Sequence, residues 1–132
     1  MKIIRYRTRR RKAGYGWLLD NKVGPIKGDI FGSFQRGEAK TSLEKVELLA
    51  PVEPGKIICV ARNYAAHAAE MNNTVPELPV LFFKPPTAVI GPADAIILPP
   101  QAQHVEHEAE LAVVIGKAGR WIEPDQAKKH IL

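Results

Sequence analysis

The chain has 132 residues, 45% hydrophobic and 25% charged, with one cysteine and a formal net charge of +5. That length is enough for a core of its own, while no apolar run approaches the roughly 18 residues of a membrane span and a single cysteine excludes an internal disulfide framework. Seven of the 19 basic residues fall within residues 1–12, where there is no acid, and the remainder sets 12 bases against 14 acids, so the domain beyond the first segment is slightly acidic.

The first predicted element is a strand over Lys2–Arg9. Ile4, Tyr6 and Thr8 alternate there with Arg5, Arg7 and Arg9, the pattern of a half-buried strand with a basic outer face. Such a face either protects a sheet edge or binds phosphate. The same alternation, and the lack of serine, set the segment apart from a transit peptide, and no apolar signal segment follows, so the cytoplasm is the expected compartment. A turn at Ala13-Gly14 leads to a strand over Tyr15–Leu19, and Asp20-Asn21 turns into a third over Val23–Ile26. Gly28–Thr41, with glycines at 28, 32 and 37, reads as loop with a short helix. Two prolines and a glycine within Ala50–Gly55 mark a boundary. The chain thus divides into a small β-rich domain, residues 1–50, and a second unit, residues 51–132.

The second unit opens with a short buried strand over Ile57–Ala61, in which Cys59 reads as a small core residue rather than a nucleophile. Asn63–Met71 is alanine-rich and predicts a helix of about two turns, ended by Asn72-Asn73. Further strands are predicted over Val80–Phe83, Ala88–Ile90 and Ala95–Leu98, separated by proline and glycine pairs. Val105–Ile115 reads as a long strand: Leu111, Val113 and Ile115 on one face and Ala112 and Val114 on the other predict burial on both sides. Pro124 fits the first position of a last helix carrying Ala127 and Ile131. The fold class is mainly β with minor helix.

Three constellations carry potential chemistry. Glu108 and Glu110 are two apart on a strand and share a face. Carboxylates at the mouth of a buried strand need a positive partner; hard oxygen donors suit Mg2+, Mn2+ or Ca2+, although such pairs also occur on solvated faces. His104 and Glu106 extend the same face. His67 and Glu70 are three apart and share a helix face. A glutamate on one imidazole nitrogen leaves the other free as a base, while a plain surface pair has the same spacing. Lys84 ends an apolar strand and either faces a cavity as an anion partner or reaches solvent.

Four collinear segments together resemble the fumarylacetoacetate hydrolase family. They are Lys56–Met71 (KIICVARNYAAHAAEM), Pro79–Ala88 (PVLFFKPPTA), Gly91–Pro100 (GPADAIILPP) and His107–Gly116 (HEAELAVVIG). Residues 1–50 resemble the small extension that precedes the catalytic domain in many bacterial and archaeal members. The resemblance implies that residues 51–132 are the first part of a mixed β-sandwich roll, dimeric in most members. It implies a Mg2+-dependent (or Mn2+- or Ca2+-dependent) enzyme, of a kind met in the catabolism of aromatic compounds. Such an enzyme acts on a 2-oxo or enol dicarboxylate by hydrolysis, decarboxylation, hydration or isomerisation. Glu108 and Glu110 fall on two of three metal carboxylates. His67 and Glu70 fall on an acid/base dyad within a segment that orders as a lid. Lys84, Arg62 and Tyr64 fall on substrate-binding positions. The expected partners are a small 2-oxo dicarboxylate and a second copy of the chain or a complementing chain, with neither nucleic acid nor membrane.

The family's third metal carboxylate, an aspartate, follows the helix begun at Pro124 and falls beyond Leu132. The expectation is therefore an incomplete catalytic domain. The alternative to a catalytic chain is a truncated, non-catalytic one that is inactive or binds a full-length relative. A basic binding module built on the terminal arginines is the third reading, and the charge balance beyond residue 12 weighs against it.

Overall fold

The computed structural model describes residues 1–9 and 11–132; of the basic N-terminal residues, Arg10 lies outside the described set. Strands β1 (Lys2–Thr8) and β2 (Arg11–Leu19) form an antiparallel hairpin, with Ile3 opposite Trp17 and Ile4 opposite Gly16. β2 returns as β3 (Lys22–Gly28) through a two-residue loop, Asp20-Asn21, whose φ values are 46° and 59°. Positive φ at both central residues is the hairpin geometry that matches strand twist, and Asp and Asn tolerate it best among non-glycine residues.

The outer edge of β3 is shared. β4 (Phe34–Arg36) pairs with Ile26–Gly28, and β5 (Thr41–Ser42) pairs with Lys22 and Val23. A 3-10 turn over Leu43–Lys45 then leads to β6 (Glu47–Leu48), which crosses to the free edge of β1 and completes the order β4-β3-β2-β1-β6. Val23 is buried at the middle of this sheet, and Ile30 is buried too. The short helix expected within Gly28–Thr41 is replaced by β4. Gly28 at φ 105° reverses the chain, Asp29 caps the reversal by accepting the Phe31 N–H at 2.9 Å, and the Asp29 N–H reaches the Ser33 carbonyl at 3.1 Å. The chain therefore folds back onto β3 instead of winding.

The basic face of β1 is largely neutralised within the chain. Arg7 makes a bidentate pair with Glu47 of β6, at 2.6 Å for both bonds, and Arg5 pairs with Glu53. The Leu49 N–H donates to the Arg5 carbonyl at 2.9 Å, so the link into residues 51–55 is tied to β1 by backbone and side chain together. This arrangement favours the edge-covering reading of the arginines over a phosphate site.

A second sheet holds β7 (Ile57–Ala61) and β8 (Val80–Lys84), antiparallel from Ile57–Lys84 to Ala61–Val80. Cys59 is half-buried in β7. Between the two strands lies helix α1 (Ala65–Glu70). Its C-terminus closes on Asn72 at φ 54°, with the Asn73 N–H on the Ala68 carbonyl at 2.8 Å and the Asn72 N–H on the Ala69 carbonyl at 3.0 Å. This is the paired bonding of a left-handed helix stop. Asn72→Val, which β-branching disfavours at positive φ, is expected to cost about 1–2 kcal/mol of helix stability. Asn72→Gly is expected to be neutral within about 0.5 kcal/mol. Amide exchange at Asn73 in the two variants measures the difference.

Beyond β8 the described residues depart from the strand pattern. Residues 86–88 form a 3-10 turn, 95–98 and 104–114 belong to no strand, and Ile115 makes a single bridge to Ile131. The expected burial of the 105–115 segment on both sides is not found: Leu111 is 82% and Val113 51% exposed. Val80–Phe83 is paired but likewise exposed. The physical reason is that a strand exists only in a ladder, and among the described residues no strand pairs with 104–114. The last helix does begin at Pro124, as a 3-10 helix over Pro124–His130. No helix among the described residues is long and apolar enough to cross a membrane.

Candidate active site

The candidate residues are brought together by a sharp change of direction after β7. Arg62 takes φ 56°, a left-handed conformation that an arginine adopts only at some cost. It turns the chain out of the sheet into the extended residue Tyr64, which opens α1. Ala68 is 2% exposed and is the buried residue of the helix, while His67 and Glu70 stand exposed. One helical turn apart, they meet: His67 Nδ1 lies 3.4 Å from Glu70 Oε2.

The other imidazole nitrogen faces a different part of the chain. His67 Nε2 lies 3.9 Å from Glu108 Oε1. A second contact joins the same two segments, the Leu111 N–H donating to the Tyr64 hydroxyl at 3.0 Å. The helix of the dyad is thus laid along the segment of the paired carboxylates. Glu110 stands two residues beyond Glu108, in a segment that belongs to no strand. His104 and Glu106, in the same segment, pair at 3.0 Å.

Lys84 is placed differently. Its Nζ sits 5.9 Å from the centre of the Phe82 ring, and among the described residues it forms no ion pair with the dyad or the carboxylates. Arg62 contributes its backbone bend rather than a side-chain contact to the dyad. Asp94, in the GPAD turn, accepts the Gly91 N–H at 2.7 Å and so fixes a loop. The role of the Tyr64 hydroxyl is the contact that residue spacing does not reveal, because its partner is a backbone amide 47 residues away.

Among the described residues no group of three or more His, Cys, Asp or Glu side chains converges as a metal cage. The donor set at 108 and 110 is two carboxylates, all oxygen. That suits Mg2+, which keeps several waters and is held through one or two carboxylates together with substrate oxygens, rather than Zn2+, which favours nitrogen and sulfur. The arrangement as a whole sets the His67 imidazole between the carboxylates of Glu70 and Glu108, with Glu110 two residues further on.

Residues 56–132 match the model of the fumarylacetoacetate (FAA) hydrolase C-terminal family, and residues 1–51 match that of the Rv2993c-like N-terminal family. The chain belongs to the fumarylacetoacetate hydrolase family. It is 50% identical over 88 residues to the mitochondrial oxaloacetate tautomerase FAHD2A of Bos taurus, a match covering 66% of this chain and 28% of that one. The structure resembles one solved from Mycobacterium abscessus ATCC 19977 / DSM 44196, with a TM-score of 0.85 and 37% identity over 100% of this chain and 52% of that one. It also resembles the 2-hydroxyhepta-2,4-diene-1,7-dioate isomerase of Mycobacterium marinum, with a TM-score of 0.83 and 32% identity over 100% of this chain and 51% of that one. The chain therefore spans about half the length of these solved chains and under a third of the curated relative. The mainly β fold is that of the corresponding part of the family's isomerases.

Proposed function

We propose that this chain carries the dyad and two of the metal carboxylates of an enzyme that enolises 2-oxo dicarboxylates, in a two-domain arrangement of residues 1–50 and 51–132. The observation that carries the reading is the single imidazole of His67 set between Glu70 at 3.4 Å and Glu108 at 3.9 Å. Relatives named as an oxaloacetate tautomerase and as an isomerase of a hydroxydiene dioate support the substrate class.

In this reading Glu108 and Glu110 would hold a divalent cation, Mg2+ or the similar Mn2+ or Ca2+, which would polarise the keto oxygen of the substrate when bound. Glu70 orients the ring through Nδ1. His67 Nε2 then takes the proton from the carbon beside the keto group, the C–H electron pair moves into the new C=C bond, and the negative charge gathers on the former keto oxygen. Returning the proton to the oxygen gives the enol. Returning it to a carbon further along a conjugated chain gives an isomer. In hydrolysis of an acylpyruvate the imidazole would instead take a proton from water as its oxygen adds to the acyl carbon, and the pair of the broken C–C bond would leave with pyruvate as its enolate; in decarboxylation CO2 departs and the pair of the broken C–C bond becomes that enolate. Lys84 serves as a second anion partner for a substrate carboxylate, and the Arg62–Tyr64 bend forms the pocket edge. A homodimer in the cytoplasm is part of the same proposal.

The test is a spectrophotometric assay of oxaloacetate enol–keto exchange and of acylpyruvate cleavage with saturating Mg2+. It is run on the chain alone and on the chain mixed with a polypeptide covering the half of a full-length relative that this chain does not match. Turnover abolished by EDTA and restored by Mg2+ is expected. No turnover in either sample, where the full-length relative works, would sink the proposal. A second reading, a non-catalytic chain that binds such a polypeptide, is favoured by the exposure of Phe83, Ile97 and Leu111. It predicts complex formation by size exclusion without any gain in rate.

A further inference from the structure

We infer that Tyr64 is a positioning residue whose hydroxyl holds the carboxylate segment in register with the dyad helix. The purpose of that register rests on the function proposed above; the contact itself does not. Tyr64 is three residues before His67, and Leu111 is three residues after Glu108. The Tyr64–Leu111 hydrogen bond, 3.0 Å, therefore ties the two stretches together beside the place where His67 Nε2 comes within 3.9 Å of Glu108 Oε1. That one bond fixes the offset between them.

Register matters here because a slip of one residue along the segment, at most about 3.6 Å, would carry Glu108 away from the imidazole it now approaches at 3.9 Å. Residues 104–114 lie in no strand, so no ladder sets their register among the described residues. The Leu111 N–H adjoins Glu110, and its bond to a side-chain oxygen takes the place of a missing ladder bond. The Tyr64 ring is delivered to it by the left-handed turn at Arg62 and by the extended backbone of Tyr64 itself, at φ −100° and ψ 106°. With its hydroxyl committed to a backbone amide, Tyr64 acts on substrate through the placement of Glu108 and Glu110.

Tyr64→Phe removes one oxygen and keeps the ring. In the 132-residue chain, Leu111 amide exchange is measured by NMR with the Val23 amide, in the N-terminal sheet, as reference. Mn2+ binding is measured in parallel by electron paramagnetic resonance. The expected result is Leu111 exchange faster by about tenfold, Val23 unchanged, and Mn2+ affinity weaker by about threefold to tenfold. Unchanged Leu111 exchange overturns the inference. Faster exchange with unchanged Mn2+ affinity also overturns it, because the hydroxyl would then hold the segment without placing the carboxylates. If the unsubstituted chain binds no Mn2+, the metal reading of Glu108 and Glu110 fails separately, and Leu111 exchange alone decides whether Tyr64 sets the register.

Discussion

Glu108→Gln is expected to weaken Mn2+ binding by at least about 100-fold, and His67→Asn to leave it within about threefold while lowering turnover by about 10²–10⁴. The two substitutions separate the two halves of the site. Glutamine keeps the size of Glu108 and one carbonyl oxygen but removes the charge that a hard cation requires, and among the described residues no third carboxylate converges with Glu108 and Glu110 to compensate. His67 stands 3.9 Å from Glu108 and is not itself an oxygen donor, so its loss removes the base and spares the cation ligands. Glu110→Gln is expected to behave as Glu108→Gln does. Glu70→Gln is expected to fall between the two classes: the 3.4 Å contact to Nδ1 survives as a neutral one, turnover drops by about 10-fold to 100-fold, and metal affinity holds. Calorimetric Mn2+ titration alongside single-turnover kinetics reads both quantities. An unaltered rate in His67→Asn would remove the imidazole from the chemistry, and unaltered Mn2+ affinity in both glutamine variants would remove the carboxylates from it.

Much of this arrangement can be read from residue order, and the parts that cannot have identifiable causes. The β1-β2-β3 meander follows from the alternation of Ile4, Tyr6 and Thr8 and from Asp20-Asn21, whose positive φ angles are what those residue types tolerate. β4 escapes the same reading because the reversal that creates it depends on one glycine conformation and one aspartate side chain, at Gly28 and Asp29, neither of which alters hydrophobic period. The reverse error occurs at 105–115. Its apolar alternation is that of a strand, yet period reports only the propensity to pair, and the pairing itself requires a neighbour.

The site divides along the same line. His67 and Glu70 share a helix face by spacing alone, and the spacing of Glu108 and Glu110 would place them on one side of a strand. That His67 lies between Glu70 and Glu108 is a fact of tertiary placement across 41 residues, set by the left-handed turn at Arg62 and the Tyr64 hydroxyl. Lys84 shows the limit of the strand-end argument. Its position after an apolar strand is as expected, and its ammonium lies over Phe82, so engagement with a substrate carboxylate would have to draw it off the ring.

Gly24→Ala is expected to destabilise the N-terminal sheet by about 2–3 kcal/mol, whereas Gly14→Ala is expected to be neutral or to stabilise by up to about 1 kcal/mol. Both glycines lie in strands, and both substitutions add one methyl group, so propensity alone predicts similar effects. The surroundings differ. A Cβ on Gly24 would sit 2.6 Å from the Gly37 carbonyl oxygen and against Trp17 Nε1, whereas a Cβ on Gly14 would meet nothing within 4 Å. The crowded space is where Trp17 Nε1 donates to the Gly37 carbonyl at 2.8 Å, under the Arg36 guanidinium 4.9 Å from the ring centre. Gly37 in turn donates to the Pro25 carbonyl at 2.8 Å, so the backbone oxygen is held from behind and cannot retreat. The methyl group must therefore displace the indole, which costs the hydrogen bond and the cation–π contact together. At about 4–8 °C per kcal/mol for a unit of this size, the two variants should differ in Tm by about 8 °C or more. The indole offers its own readout: Trp121 is 90% exposed, so a part-buried emission component belongs to Trp17 and should shift to the red in Gly24→Ala alone. Equal melting temperatures for the two variants would mean that the indole moves freely, and that Trp17 does not lock β2, β3 and the Gly37 turn as one body.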